Sequence, residues 1–180
     1  NVSITEAQTN VTITATDAVS GESVSLNTSQ AGEAQAAGLA LKVRQTAQAP
    51  ARIVQIELRD TTGEDRAVDF HVSLGVDLTG WSWHEDIRRA TPITAASQLI
   101  ERQSPLIVVT PEDGGPGFAM AIGPSQPLIY ELRGAADGLT LSGRIGLTAL
   151  GADELKSRAS VSIYLFPVDR EWAFRGALAT

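Results

Sequence analysis

The sequence has 180 residues and no cysteine, which excludes disulfides, thiol nucleophiles and cysteine-ligated zinc together. The same absence fits both a reducing cytoplasm and a secreted protein that does without bridges, so it does not fix the compartment. Apolar runs are short. None approaches the roughly 20 residues that cross a bilayer, and the N-terminus lacks the basic and apolar regions of a signal peptide. Membrane insertion is not expected, and the chain reads as trimmed or cut from something longer. Positive charge is scarce as well: 14 Lys and Arg stand against 21 Asp and Glu, for a net charge of -7 with no basic cluster to meet a phosphate backbone. Nucleic acid is not an expected partner. Scarce lysine among abundant Thr, Ser, Gly, Ala and Gln suits an exported bacterial β-protein, secreted or at the cell surface. The motifs of nucleophile and phosphate chemistry are missing too. There is no G-x-S-x-G, and Gly114-Gly115-Pro116-Gly117 lies between strand patterns instead of opening a helix, so no cofactor is expected.

What is present is two-residue alternation. Val2 and Ile4, then Val11, Ile13 and Ala15, alternate with Ser and Thr, and β-branched residues are abundant. Asp17 to Glu22 reads as a turn before Val24 and Leu26, and Ser29 to Gly38 as a small polar loop. Leu39, Leu41 and Val43 form a strand that Gln45 to Pro50 interrupts before Val54, Ile56 and Leu58. Asp60 to Asp65 resembles a hairpin connection with Gly63 at positive φ, which predicts antiparallel pairing with the next strand. Thr94 to Gln103 is ambiguous between a helical turn and a strand. Leu106 to Thr110 is a continuous apolar run, typical of a strand buried on both faces. After the Pro111 to Gly117 loop, Phe118 to Ile122 returns as its hairpin partner. Leu128 to Arg133, Leu139 to Thr148 and Ala159 to Leu165 complete the set. About ten to twelve strands joined by short turns, with no long amphipathic helix, predict an all-β antiparallel sandwich with a short C-terminal helix.

The segment Ala67 to Arg89 organises the chain. Val68, Phe70, Val72 and Leu74 alternate with Asp69, His71 and Ser73, and the strand leads through Gly75 and Gly80 into Trp81-Ser82-Trp83-His84. Two residues apart in extended chain, Trp81 and Trp83 share a face. They present a stacking platform to a sugar ring, or they fill the core or a domain seam. His84, Glu85 and Asp86 offer acid-base or ligand groups without metal-ligand spacing, and His71 reads as a sheet-surface histidine. Arg88 and Arg89 beside Glu85 and Asp86 read as a self-compensating charge patch. Glu112 with Asp113, and Asp60 with Asp65, place carboxylates in turns where Ca²⁺ is conceivable, although neither follows an established ligand pattern.

Only the C-terminus changes period. Asp169 can cap a helix with Glu171 in its first turn, and Phe174, Ala177 and Leu178 fall at i, i+3 and i+4. This divides the chain into a β-sandwich at 1–168 and the start of a helical linker to a following domain at 169–180. The ending Val161 to Leu178 resembles a junction in large multidomain bacterial proteins, where a galactose-mutarotase-like β-supersandwich precedes the catalytic module of a glycoside hydrolase-like chain. Asp169, Trp172, Phe174, Arg175 and Ala177-Leu178 match the pattern "iy..d..WgfR.al". Ala173 stands where glycine is usual. Asp65-Arg66-Ala67, Trp83, Pro105-Leu106 and Ala119 to Pro127 follow the upstream order, so the resemblance spans about Ile53 to Leu178.

The resemblance implies an accessory, non-catalytic module of a carbohydrate-active protein. On that reading Trp81, Trp83, His84 and Tyr130 contact a polysaccharide or oligosaccharide, while Trp172, Phe174 and Arg175 meet the following domain. Two alternatives stand beside it. One is a mutarotase-like or glycosidase-type enzyme using His71, His84, Glu85 or Asp86; the other is a purely structural or adhesion module.

Overall fold

A computed structural model of the chain describes residues 10–30, 32–84, 86–94, 100–102, 105–123, 126, 128–149 and 157–178. The readings made for Val2 to Ile4, Glu85 and Gly151 to Lys156 lie outside the described residues. In chain order the strands are β1 (Val11–Asp17), β2 (Ser23–Asn27), β3 (Gly32–Ala36), β4 (Leu39–Gln48), β5 (Ala51–Asp60), β6 (Arg66–Gly75) and β7 (Trp81–His84). Then follow β8 (Ala90–Ile93), β9 (Ile100–Arg102), β10 (Leu106–Pro111), β11 (Gly117–Ile122), β12 (Ile129–Ala135), β13 (Gly138–Leu147), β14 (Arg158–Val168) and the helix α1 (Ala173–Leu178).

They build two antiparallel sheets, one six-stranded in the order β2-β1-β6-β13-β12-β9 and one eight-stranded in the order β3-β4-β5-β14-β11-β10-β7-β8. The alternation seen in the sequence supplies the inner faces. Val11 and Ile13 on β1, Phe70 and Val72 on β6 and Leu139 and Leu141 on β13 meet Leu41, Val54, Ile56, Val161, Ile163 and Met120 of the opposite sheet in one core. Removing these side chains from water is the main favourable term that holds the sheets together. The all-β sandwich with a short terminal helix is therefore the observed fold.

Three local expectations change. Gly32–Ala36 is a strand, where a loop was expected; it pairs with β4 through a two-residue turn with Ala37 at φ 56° and Gly38 at φ 72°. Its sequence shows no apolar face because it is an exposed edge strand. Likewise β4 continues through Gln45 to Gln48, where Gln48 pairs with Ala51 across a turn containing the cis Ala49-Pro50 bond. The largest correction concerns β5 and β6, which are not neighbours. Gly63 has the expected positive φ of 80°, but the turn carries the chain from one sheet to the other: β5 lies between β4 and β14, and β6 between β1 and β13.

Arg66 fixes that crossover. Its Nε lies 2.7 Å from Asp60 Oδ1 and its Nη1 2.8 Å from Asp17 Oδ2, and Nη1 also donates to the Ala37 carbonyl at 3.0 Å. Burial works against the Asp60 charge, yet donation from the Thr62 hydroxyl and from the Gly63, Glu64 and Thr62 amides holds its carboxyl below the usual range. For Asp17 the Ser20 and Val19 amides come first, with Arg66 adding to them, and the direction is the same. One guanidinium thus joins the β1–β2 turn, the β3–β4 turn and the crossover between sheets.

Candidate functional site

Trp81 and Trp83 do share a face of β7, and that face is the inner one. Trp83 is 1% exposed, and its ring reaches the other sheet: a Cβ added at Gly134 on β12 would lie 2.3 Å from Trp83 Cζ3. Trp81 is half-buried and meets Phe118 edge to face, with ring centroids 5.6 Å apart at 67°. The stacking platform does not apply to Trp83, whose ring is core and beyond reach of a sugar; the alternative of core filling is the one realised. The polar residues Ser82 and His84 that alternate with the tryptophans were the sequence signal for this. Tyr130 lies on β12 of the six-stranded sheet, partly buried against the same core, and burial raises its phenol pKa.

His84 points the other way, onto the outer face of the eight-stranded sheet. Its Nε2 lies 2.8 Å from the hydroxyl of Thr110 on β10, and burial lowers its pKa, so the imidazole is held neutral. Around it the outer face is apolar, with Leu106, Val108, Ala119, Phe166 and Val168 forming a second cluster against which Ala177 and Phe174 of α1 pack. This cover explains why β10 is buried along its whole length, as its continuous apolar sequence requires.

Between α1 and the β7–β8 connection lies a cleft of about 290 Å³ lined by His84, Asp86, Arg88, Arg89 and Arg170, with Trp172, Phe174 and Arg175 among the residues on its far side. The structure therefore joins His84 to the three residues expected at a domain seam, and leaves Trp81, Trp83 and Tyr130 elsewhere. Trp172 is 57% exposed. The turn before α1 is held by Asp169, whose Oδ1 accepts from the Glu171 amide at 2.8 Å and whose carbonyl accepts from the Ala173 amide at 2.7 Å. Glu171 thus precedes the helix and does not lie in its first turn. Ala173 has φ 35°, a left-handed value that favours glycine, and it is the position where the resembled pattern carries glycine. A Cβ at Gly176 would sit 3.2 Å from Trp172 Cβ, so this glycine makes room for the tryptophan.

The carboxylates of the cleft are committed differently. Asp86 accepts from the Arg88 amide at 2.6 Å and the Arg89 amide at 3.0 Å, and the Arg88 bond is the largest cause of its lowered pKa, with Arg89 and both guanidinium charges adding to it. Ionised and occupied by its turn, Asp86 has no proton to deliver. Arg170 crosses to the β10–β11 loop, where its Nη1 would lie 3.2 Å from a Cβ at Gly114. Arg170 carried no signal of its own in the sequence, whereas Arg88 and Arg89 do set their charges against Asp86, as read.

The remaining acidic turns hold protein donors. Asp65 accepts from the Thr148 hydroxyl at 2.9 Å and the Ala149 amide at 2.8 Å, the Ala149 bond chiefly lowering its pKa. Asp113 accepts from the Gly115 amide at 3.2 Å. His71 is on the outer face of the six-stranded sheet, 3.0 Å from the Ser142 hydroxyl.

No protein-family model matches this sequence. No curated protein does either. Solved structures match at the level of shape. The GH36 α-galactosidase AgaB from Geobacillus stearothermophilus aligns over 73% of this chain and 22% of its own, at 10% identity and a TM-score of 0.49. A Klebsiella pneumoniae protein described as an aldose 1-epimerase aligns over 87% of this chain and 56% of its own, at 9% identity and a TM-score of 0.43. This chain spans little more than half the length of the second and about a fifth of the first.

Proposed function

We propose that this chain is a non-catalytic β-sandwich module of a carbohydrate-active protein, and that it contacts saccharide at the cleft between α1 and the β7–β8 connection. The observation that carries this is the placement of Trp172: a largely exposed indole on the wall of a concave, arginine-lined site, of the kind that stacks against the C–H face of a sugar ring. The resemblance of the segment around it to the supersandwich junction of glycoside hydrolase-like proteins points to the same ligand class. His84 supports the wall through Thr110 and has no part in chemistry.

Affinity electrophoresis through gels containing neutral and acidic polysaccharides tests the reading. Retention that Trp172→Ala abolishes, with no sugar turned over by the purified domain, is the expected result. Turnover abolished by His84→Ala would replace this reading with the mutarotase-like or glycosidase one. A second reading is favoured by Leu178, 65% exposed at the last described turn of α1: Trp172, Phe174 and Arg175 pack against a following domain of the parent chain. Failure to retain on any glycan, with Trp172 protected from labelling in the longer chain, would select that role.

A further inference from the structure

The charge of the cleft runs against that of the molecule. The chain carries a net charge of -7, yet among the described residues four arginines, Arg88, Arg89, Arg170 and Arg175, line this site against two carboxylates, Asp86 and Glu171. Asp86 is bound to its own turn amides and its charge acts on Arg88 and Arg89, which still leaves these described groups net positive. Among the described residues none of Arg88, Arg170 and Arg175 is held in a salt bridge, and all three are exposed. The fold gathers them from two segments some eighty positions apart, because β7 and α1 both border β10. Two other surface arginines are paired across their sheets: Arg144 with Asp69 at 2.9 Å and Arg158 with Glu57 at 2.8 Å.

A neutral glycan needs no such surplus. Guanidinium groups are planar forks that match carboxylate and sulfate oxygens in pairs, and beside an exposed indole they provide both a plane for the ring and donors for its acid group. Resting on the saccharide-binding reading above, we infer that the cleft selects an anionic saccharide, with Trp172 stacking on the ring and Arg88 and Arg175 holding the acid group. The net charge of -7 works against non-specific binding of such a polymer elsewhere on the molecule.

Isothermal titration of the whole chain with oligogalacturonate, a sulfated galactan oligomer and a neutral galactan oligomer tests this. Oligogalacturonate binding is expected to weaken about tenfold or more in the Arg88→Gln/Arg175→Gln double variant, the loss of charge-assisted hydrogen bonds, and to weaken as salt rises. Arg44→Gln, a surface arginine on β4, is the control for general charge and should leave binding unchanged. Binding of the sulfated oligomer alone, with the same dependence on Arg88 and Arg175, would uphold an anion site and identify sulfate as its group. Equal binding of the neutral oligomer, unmoved by the double variant, would overturn the inference and leave the saccharide reading intact. No binding of any oligomer would remove both. Unchanged unfolding midpoints for the variants establish that the fold is not what has been lost.

Discussion

The two sheets share one core and differ on their outer faces. Across the six-stranded sheet one outer row reads Ser25, Thr14, His71, Ser142 and Glu131. Across the eight-stranded sheet a corresponding row reads Phe166, Ala119, Val108, His84 and Ala90. Each row has a histidine bonded to a hydroxyl, His71 to Ser142 and His84 to Thr110. The first row lies open to solvent as a lattice of hydroxyls, with Thr14 and Ser25 joined at 2.8 Å. The second is covered by α1, and the edge of that cover is the cleft. A second apolar face is thus what makes one side of a sandwich able to seat a helix and to leave a cleft at its border.

Reciprocal charge insertions break the comparison most sharply. Val108→Asp places an unpaired charge beneath α1 and should cost more than about 4 kcal/mol, whereas Thr12→Asp on the open face should stay within roughly 1 kcal/mol; urea unfolding of both measures the gap. Next comes the core that both faces share. Gly134→Ala drives a methyl into the Trp83 ring and should cost about 1–3 kcal/mol, with the change in tryptophan emission reporting the displaced ring.

At the α1 end, Ala173→Gly relieves a left-handed backbone and should raise stability by up to about 1 kcal/mol, seen as a higher melting temperature; an unchanged or lower one would show that the positive φ is not strained. The smallest effect is in pH. Burial holds His84 neutral when folded, so the unfolded chain takes up a proton from about pH 6.5 downward, where the folded chain resists it. Stability is unaffected by this group above that pH and falls as pH drops below it. His84→Asn should flatten that part of the stability curve, and an unchanged slope would contradict the assigned burial.

Much of the fold was legible because inner-face alternation is a local property. Val68, Phe70, Val72 and Leu74 announce their strand wherever it pairs, and Leu106 to Thr110 announces cover on both sides. Partner choice is not local. Asp60 to Gly63 signals a reversal, but whether the next strand pairs with β5 or leaves for the other sheet depends on Asp17, 49 positions before Arg66. The edge strand Gly32–Ala36 escaped because pairing with β4, not an apolar face, makes it a strand.

The site was legible in pieces. The sequence marked His84 and, through a resemblance, Trp172, Phe174 and Arg175, but could not show that they share a cleft. It put Trp81 and Trp83 on one face without saying which. Polar Ser82 and His84, which alternate with them, lie on the opposite face, a clue that their pattern contained.

Hydroxyl-radical footprinting read by mass spectrometry tests the central claim most directly, since it ranks individual indoles by solvent access. The structure requires rapid oxidation of Trp172, slower reaction at Trp81 and near-complete protection of Trp83, and the proposed saccharide contact adds protection of Trp172 on binding. Oxidation of Trp83 as fast as that of Trp172 would contradict the account, because the β7 tryptophans and not the α1 border would then form the open surface.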